Sequence, residues 1–232
     1  MDRNEELALN WQSTMQSIQD ACVSANRDFS EVTVVAVTKT WPASDIDMLA
    51  SLGVTNIGEN RDQEARDKHQ QVTAHGLTWH AIGQIQTNKV KSIINWADVV
   101  HSLDRPELID AFVKHLMPLD KQLDVFVQVN LDENISEHRG GVARDRSLQL
   151  AELVGQRECF RLLGVMGVAP LNGDTERAFA TLQSISQSVQ EVQPEARFIS
   201  AGMSDDYKIA LKYGATHLRL GSLILGHRTY NG

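Results

Sequence analysis

The sequence predicts an α/β fold: a (β/α)8 TIM barrel in a single domain, residues 1–232, with an extra N-terminal helix at about residues 4–26. Three observations predict it. Short runs of β-branched and apolar residues alternate with helical stretches eight times along the chain. The 232 residues lie near the ~250 typical of such a barrel. An open doubly wound sheet would carry Gly-x-Gly-x-x-Gly after its first strand, and that pattern is absent.

Each element has its own signal. Leu7, Trp11, Met15, Ile18 and Cys22 recur at helical spacing and mark the N-terminal helix. Val32 to Lys39 is a β-branched run stopped by Pro42, which reads as a buried first strand. Ser44 is placed to cap a helix that buries Ile46, Leu49 and Ala50 and stops at Gly53. Val54 to Ile57 is a second strand, followed by a polar helix to about Gln70. Leu77 to Ile82 is a third, followed by a helix containing Asn88 to Lys91, whose Lys89 and Lys91 read as a solvated face or as helpers at the mouth. Asp98 to His101 is a fourth, with Pro106 in the first turn of its helix. Leu123 to Val129 alternates as a fifth, and a polar loop from Asp132 to Gly141 precedes the next helix. Arg161 to Val168 is a sixth, before a helix with Phe179, Leu182, Ile185, Val189 and Val192 on one face. Arg197 to Ser200 is a seventh, with a helix from Ser204 to Tyr213 stopped by Gly214. Thr216 to Leu220 is the eighth.

Composition narrows the function classes. The net charge of −8 argues against nucleic-acid binding, which needs a basic face to release counterions. No run approaches the ~20 apolar residues of a membrane span. The charged start, Met1 to Glu6, lacks the apolar segment of a secretory signal. Cys22 and Cys159 lie far apart with no Cys-x-x-Cys pair, as suits core thiols in a reducing cytoplasm. The eight histidines form no His-Glu-x-x-His or Cys/His cluster, so no metal is expected, and His75, His80 and His101 read as strand-end or loop residues. No Gly-x-Ser-x-Gly nucleophile elbow is present.

In a barrel, sites lie at the C-terminal strand ends, and phosphate binds near the loops after strands seven and eight. Lys39 ends strand one. Half sheltered from water, its amine would lose protons more easily and attack a carbonyl. After strand seven come Gly202, Met203 and Ser204, and Ser204 is an apparent N-cap; Asp205 and Asp206 are expected to turn outward. After strand eight, Gly221 and Ser222 open a further helical turn. The two segments together read as a phosphate cup. Arg219 shares a strand face with His217 and Gly221, and its guanidinium can donate to a ring nitrogen without protonating it. An amine, a phosphate cup and an arginine for a ring nitrogen describe one ligand, pyridoxal 5′-phosphate (PLP).

The chain resembles the pyridoxal phosphate homeostasis (YggS/PROSC) family of fold-type III. The resemblance is carried by Val35-Ala36-Val37-Thr38-Lys39-Thr40, by Gly58-Glu59-Asn60 with Gln63-Glu64, and by Trp79-His80-x-Ile82-Gly83-x-x-Gln86-x-Asn88-Lys89. Further matches are Gln128-Val129-Asn130, Gly164-Val165-Met166, Gly202-Met203-Ser204-Asp205-Asp206 and Arg219-Leu220-Gly221-Ser222-x-x-x-Gly226-x-Arg228. It implies that Lys39 forms the Schiff base and that Ser204, Gly221 and Ser222, with backbone around Met203, hold the phosphate. It also implies that Arg219 faces the pyridine nitrogen and that Asn60, with Met166 and Asn130, lines the pocket. Where the family shows Ser-Lys-Thr-Lys-Pro, Trp41 replaces the second lysine, and Glu137-His138-Arg139-Gly140 replaces Ser-Lys-Ser-Gly.

The implied function is PLP homeostasis: the chain holds the cofactor as an internal aldimine and passes it to PLP-dependent apoenzymes, as a monomer and without substrate turnover. The alternative is a PLP-dependent amino-acid racemase. That reading needs a second base, and Tyr207, Tyr213 and Tyr230 have no evident path to the opposite face of a substrate. A third reading is a cofactor-free Schiff-base aldolase using Lys39 directly.

Overall fold

The computed structural model describes residues 1–132 and 140–226. Eight parallel strands close into a barrel in chain order: β1 (Thr33–Val37), β2 (Asn56–Glu59), β3 (Thr78–Ala81), β4 (Val99–Leu103), β5 (Leu123–Val129), β6 (Phe160–Gly167), β7 (Phe198–Ser200) and β8 (His217–Leu220). Pairing of β1 with β8, from Thr33↔His217 to Ala36↔Leu220, closes the cylinder. The helices are α1 (Arg3–Ser24), α2 (Ala43–Ser51), α3 (Asp62–Gln71), α4 (Val90–Ile93), α5 (Pro106–Leu116), α6 (Ser147–Gly155), α7 (Thr175–Val192), α8 (Tyr207–Lys212) and α9 (Ser222–Leu225). Among the described residues no helix is long and apolar enough to cross a membrane.

Alternation along the strands builds two cores. Val34, Ala36, Ile57, Val100, Val125, Leu218 and Leu220 point outward and join the main core under the helices. Val99, Phe126, Leu163 and Met166 form a separate apolar cluster. Phe126 packs at a tilt against the His101 ring and edge-on against the His217 ring, which places this cluster inside the barrel.

β6 carries an irregularity where its register against β5 shifts between Val125 and Phe126. Gly164 sits there at φ +154°, and a Cβ on it would stand 1.8 Å from the Phe198 carbonyl oxygen. Only glycine fits so close to β7. Gly164→Ala is expected to destabilise the fold by at least about 3 kcal/mol, from strain plus clash. The urea midpoint reads this loss, and an unmoved midpoint would contradict the bulge.

Element ends depart from the sequence reading for local reasons. β1 stops two residues before Lys39, because Thr38 turns its carbonyl to Trp41 N–H (3.0 Å) and the chain reverses at Thr40, φ +69°. β2 starts at Asn56 rather than Val54, whose N–H still closes the end of α2 on Leu49 O (3.1 Å). Ser44 does not cap α2; Pro42 takes that position without a side-chain bond. α8 begins at Tyr207, not Ser204, because Asp206 folds residues 203–206 into a separate turn.

Candidate functional site

The C-terminal ends of β1, β7 and β8 lie side by side at one rim of the barrel. Lys39 has the parity of Val35 and Val37, whose side chains face the inner side of β2 at Gly58. Its side chain is exposed, so the half-shelter read from the sequence is not there. The correction follows from the early end of β1, which lifts Lys39 onto a turn above the strand.

That turn is held rigidly. The buried Lys68 ammonium donates to Thr38 O, Glu59 Oε1 and Glu64 Oε1, each at 2.7 Å. Thr38 Oγ1 donates to Glu59 Oε1 at 2.6 Å, and Thr40 N–H donates to the Glu64 carboxylate. An ammonium with three acceptors fills its donor capacity. Burial raises the Glu59 pKa above the usual carboxylate value, and the bonds from Lys68 and Thr38 oppose this. Both backbone flanks of Lys39 are thus fixed while its side chain is left free. Glu64 and Lys68 stand four apart on one helix, a spacing visible in the sequence; its link to the lysine turn was not.

The two expected phosphate segments behave differently. Gly202 adopts φ +93°, with its Cβ position 2.9 Å from Tyr207 Cα, so a side chain is excluded. The Met203 amide, expected to be free, donates to Asp206 Oδ1 at 2.6 Å. Asp206 therefore turns inward, against the sequence expectation. Burial raises its pKa, opposed first by the Met203 amide and then by the Arg219 charge. Ser204 is half-buried within this turn and Met203 is exposed. After β8 the arrangement is open. Gly221 O accepts from Ile224 N–H (3.0 Å) and Leu225 N–H (2.9 Å), and the first α9 amides, Ser222 and Leu223, have no acceptor within the helix. Gly221 lies level with Val37, whose carbonyl oxygen is 3.4 Å from the Gly221 Cβ position.

α1 braces both segments. Arg3 Nη2, Asn10 Nδ2 and Thr14 Oγ1 donate to the carbonyls of Leu225 (3.1 Å), Ile224 (3.2 Å) and Leu223 (3.2 Å), the last three residues of α9. Ser17 Oγ and Tyr207 Oη share a hydrogen bond of 2.7 Å. The Arg3 guanidinium also stacks 4.2 Å over Trp41.

Arg219 is buried, in register with Val35, on the inner side of β8. Its Nη1 donates to Ser200 Oγ (2.6 Å) and its Nη2 to Gly167 O (3.0 Å). Burial lowers its pKa to about 10, opposed by the Asp206 charge, which still leaves the guanidinium charged at neutral pH. Below it lie His80, His101 and His217, all buried inside the barrel. This corrects the reading of His80 and His101 as strand-end or loop residues. Burial drives His80 to about 3 and His217 to about 4, and holds His101 well below its ordinary value.

Asn60 is exposed at the rim, packed against Gly83. Asn130 is buried, its Oδ1 accepting from Asp132 N–H at 2.9 Å, and Met166 belongs to the inner apolar cluster rather than the rim. Lys89 and Lys91 are exposed. Arg139, Arg228 and Tyr230 lie outside the described residues. No group of three or more metal-ligating residues occurs among the described ones.

The residues fit PLP. An accessible amine on a clamped turn after β1, amides opening α9 after β8 and a buried guanidinium on β8 are brought together by the pairing of these adjacent strands. The Met203 amide does not fit as a free phosphate donor, since a carboxylate already holds it.

The chain is similar to known proteins in sequence and in fold. The family model "Alanine racemase, N-terminal domain" matches residues 15–229. A pyridoxal phosphate homeostasis protein of Corynebacterium glutamicum is 37% identical, over 92% of this chain and 99% of that one. Another, from Mycobacterium bovis, is 34% identical over 98% and 95%. Among solved structures, PipY of Synechococcus elongatus with PLP bound superposes with a TM-score of 0.81, at 27% identity over 95% of this chain and all (100%) of that one. Alanine racemase of Clostridium difficile superposes at 0.74 with 13% identity, over 98% of this chain and 58% of that one.

Proposed function

The chain belongs to the alanine racemase N-terminal domain family, and from that premise we propose that it is an intracellular PLP-binding protein of cofactor homeostasis, which holds PLP through Lys39 and releases it to apoenzymes without turning over a substrate. One observation carries the reading: β1 and β8 pair so that Arg219 sits opposite Val35 and Gly221 comes level with Val37, two residues below Lys39. Amine, amide donors and guanidinium therefore stack up one wall of the barrel. The PLP bound to PipY and the names of the curated relatives support the same ligand.

When bound, PLP supplies a reactive aldehyde and a conjugated ring. Lys39 provides the amine, held by the clamp on Thr38 and Thr40. The Ser222 and Leu223 amides that follow Gly221 would receive the phosphate, with Ser204 beside them. Asn60 borders the ring, and Arg219 donates to its nitrogen. A permanent donor keeps that nitrogen unprotonated and weakens the ring as an electron sink. Two-base racemisation is further disfavoured because the Tyr207 hydroxyl is committed to Ser17 on α1. The likeness to alanine racemase, at 13% identity, is one of fold.

Titration of the protein with PLP tests this reading. One equivalent is expected to be taken up with a new visible absorbance band, and polarimetry of L-alanine with the loaded protein is expected to show no loss of optical activity. An unchanged spectrum would remove PLP; racemisation would restore the enzyme reading.

A further inference from the structure

Beside its apolar cluster of Val99, Phe126, Leu163 and Met166, the barrel interior carries a polar chain where a TIM barrel is ordinarily packed with branched apolar side chains. Five side chains on five strands join there by hydrogen bonds, from the Asn56 end of β2 to Arg219 on β8. Asn56 Oδ1 lies 2.9 Å from His80 Nε2. His80 Nδ1 lies 2.8 Å from His101 Nε2, and His101 Nδ1 lies 2.8 Å from Ser200 Oγ. Ser200 Oγ accepts from Arg219 Nη1 at 2.6 Å.

The proton positions follow from either end. Asn56 Nδ2 donates to Thr55 Oγ1 at 3.0 Å, so its Oδ1 faces His80 and accepts. His80 Nε2 therefore carries the hydrogen. A neutral imidazole has one N–H, so His80 Nδ1 accepts and His101 Nε2 donates. His101 Nδ1 then accepts, and the Ser200 hydroxyl donates to it. Starting at the other end, arginine can only donate. Ser200 Oγ accepts from Arg219 and is left to donate onward to His101. Both derivations give the same direction, with no charged histidine required.

We propose that Ser200, His101 and His80 are positioning residues: a one-way hydrogen-bond relay, with both imidazoles neutral and protonated on Nε2, that fixes the Arg219 guanidinium as donor to the ring nitrogen of a bound pyridine cofactor. The relay rests on the proposed PLP reading. Its floor is Asn56 and its side wall is His217, whose ring stands edge-on to His101 at 6.4 Å and whose Nδ1 pairs with Thr216 Oγ1 at 2.9 Å. The nearby charge is Asp206, which acts on Arg219 from the rim. The relay commits one of the five guanidinium hydrogens and Gly167 O a second, and together they set the plane of the rest.

Nitrogen-15 NMR of the histidine rings, recorded on the protein without added PLP, tests the relay itself. Neutral Nε2–H rings are expected for His80 and His101; an Nδ1–H or doubly protonated ring at neutral pH would overturn it. PLP titration of Ser200→Ala and Ser200→Thr tests the role. Ser200→Ala is expected to weaken PLP binding about tenfold, the value of one hydrogen bond to a charged group, and to alter the pH dependence of the bound absorbance band. Ser200→Thr, which keeps the hydroxyl, is expected to restore both. A wild-type spectrum and affinity in Ser200→Ala would overturn the positioning role. Failure of the wild-type protein to take up PLP would sink the function and the ring-nitrogen role together, whereas wrong tautomers sink only the relay.

Discussion

Lys39→Ala is expected to abolish the visible absorbance that PLP produces in this protein, while moving its unfolding free energy by less than about 0.5 kcal/mol. The two halves of that result have separate causes. Covalent capture of an aldehyde needs an accessible primary amine. Lys68, a lysine bonded to the same turn, spends its ammonium on three acceptors there. Stability is spared because the Lys39 side chain is exposed and the turn is held through Thr38 and Thr40. The reciprocal variant separates clamp from amine. Lys68→Met leaves the Glu59 and Glu64 carboxylates without their cation and is expected to cost about 3 kcal/mol, the usual penalty for breaking a buried pair. Denaturant midpoints of the two variants check the contrast, and equal losses would contradict it.

Acid is expected to unfold the protein earlier than its carboxylates alone would dictate. His80 and His217 titrate near 3 and 4 in the folded chain, and His101 lies well below its ordinary value. Unfolded, each returns to about 6.5. A depressed histidine pKa means that the unfolded chain binds more protons below pH 6.5, so stability falls as pH drops from there. At pH 5 the loss is about 2 kcal/mol for each of His80 and His217, from ~1.5 pH units at ~1.36 kcal/mol each. His101 adds in the same direction. The titratable groups that act on these rings are the rings themselves and Arg219, all of which disfavour a proton. Glu59 and Asp206, whose pKa values are raised, act oppositely at lower pH. Against a total of about 5–15 kcal/mol the histidine effect is large. His217→Phe, seated against Phe126 and Phe198, is expected to reduce the slope of stability against pH between 6.5 and 5 by about a third, since one of three protons is removed. An unchanged slope would contradict the burial of His217.

The barrel was legible because its strands announce themselves by β-branched runs and its helices by periodicity, and β5 matches to the residue. What escaped was decided by packing. Trp79-His80-Ala81-Ile82 reads equally well as a strand with one wet face, and only closure of the cylinder turns that face into a core. Ser200 and His101 are 99 positions apart and meet through the topology alone. Of the site, Arg219, Gly221 and Ser222 stand where strand alternation and the loop after β8 place them. Lys39 was singled out by its place after a strand, but its exposure depends on the left-handed turn at Thr40, which no residue type in Thr-Lys-Thr signals. The Asp206 cap on Met203 was missed for a similar reason: a helix-start aspartate can face outward or back, and the side chain chose back.

The most direct measurement is borohydride reduction of the PLP-loaded protein, followed by digestion and mass spectrometry of the peptides. A reduced phosphopyridoxyl group on the Lys39 peptide alone is the expected result. The same modification on Lys68, Lys89 or another lysine, with Lys39 unmodified, would contradict the account.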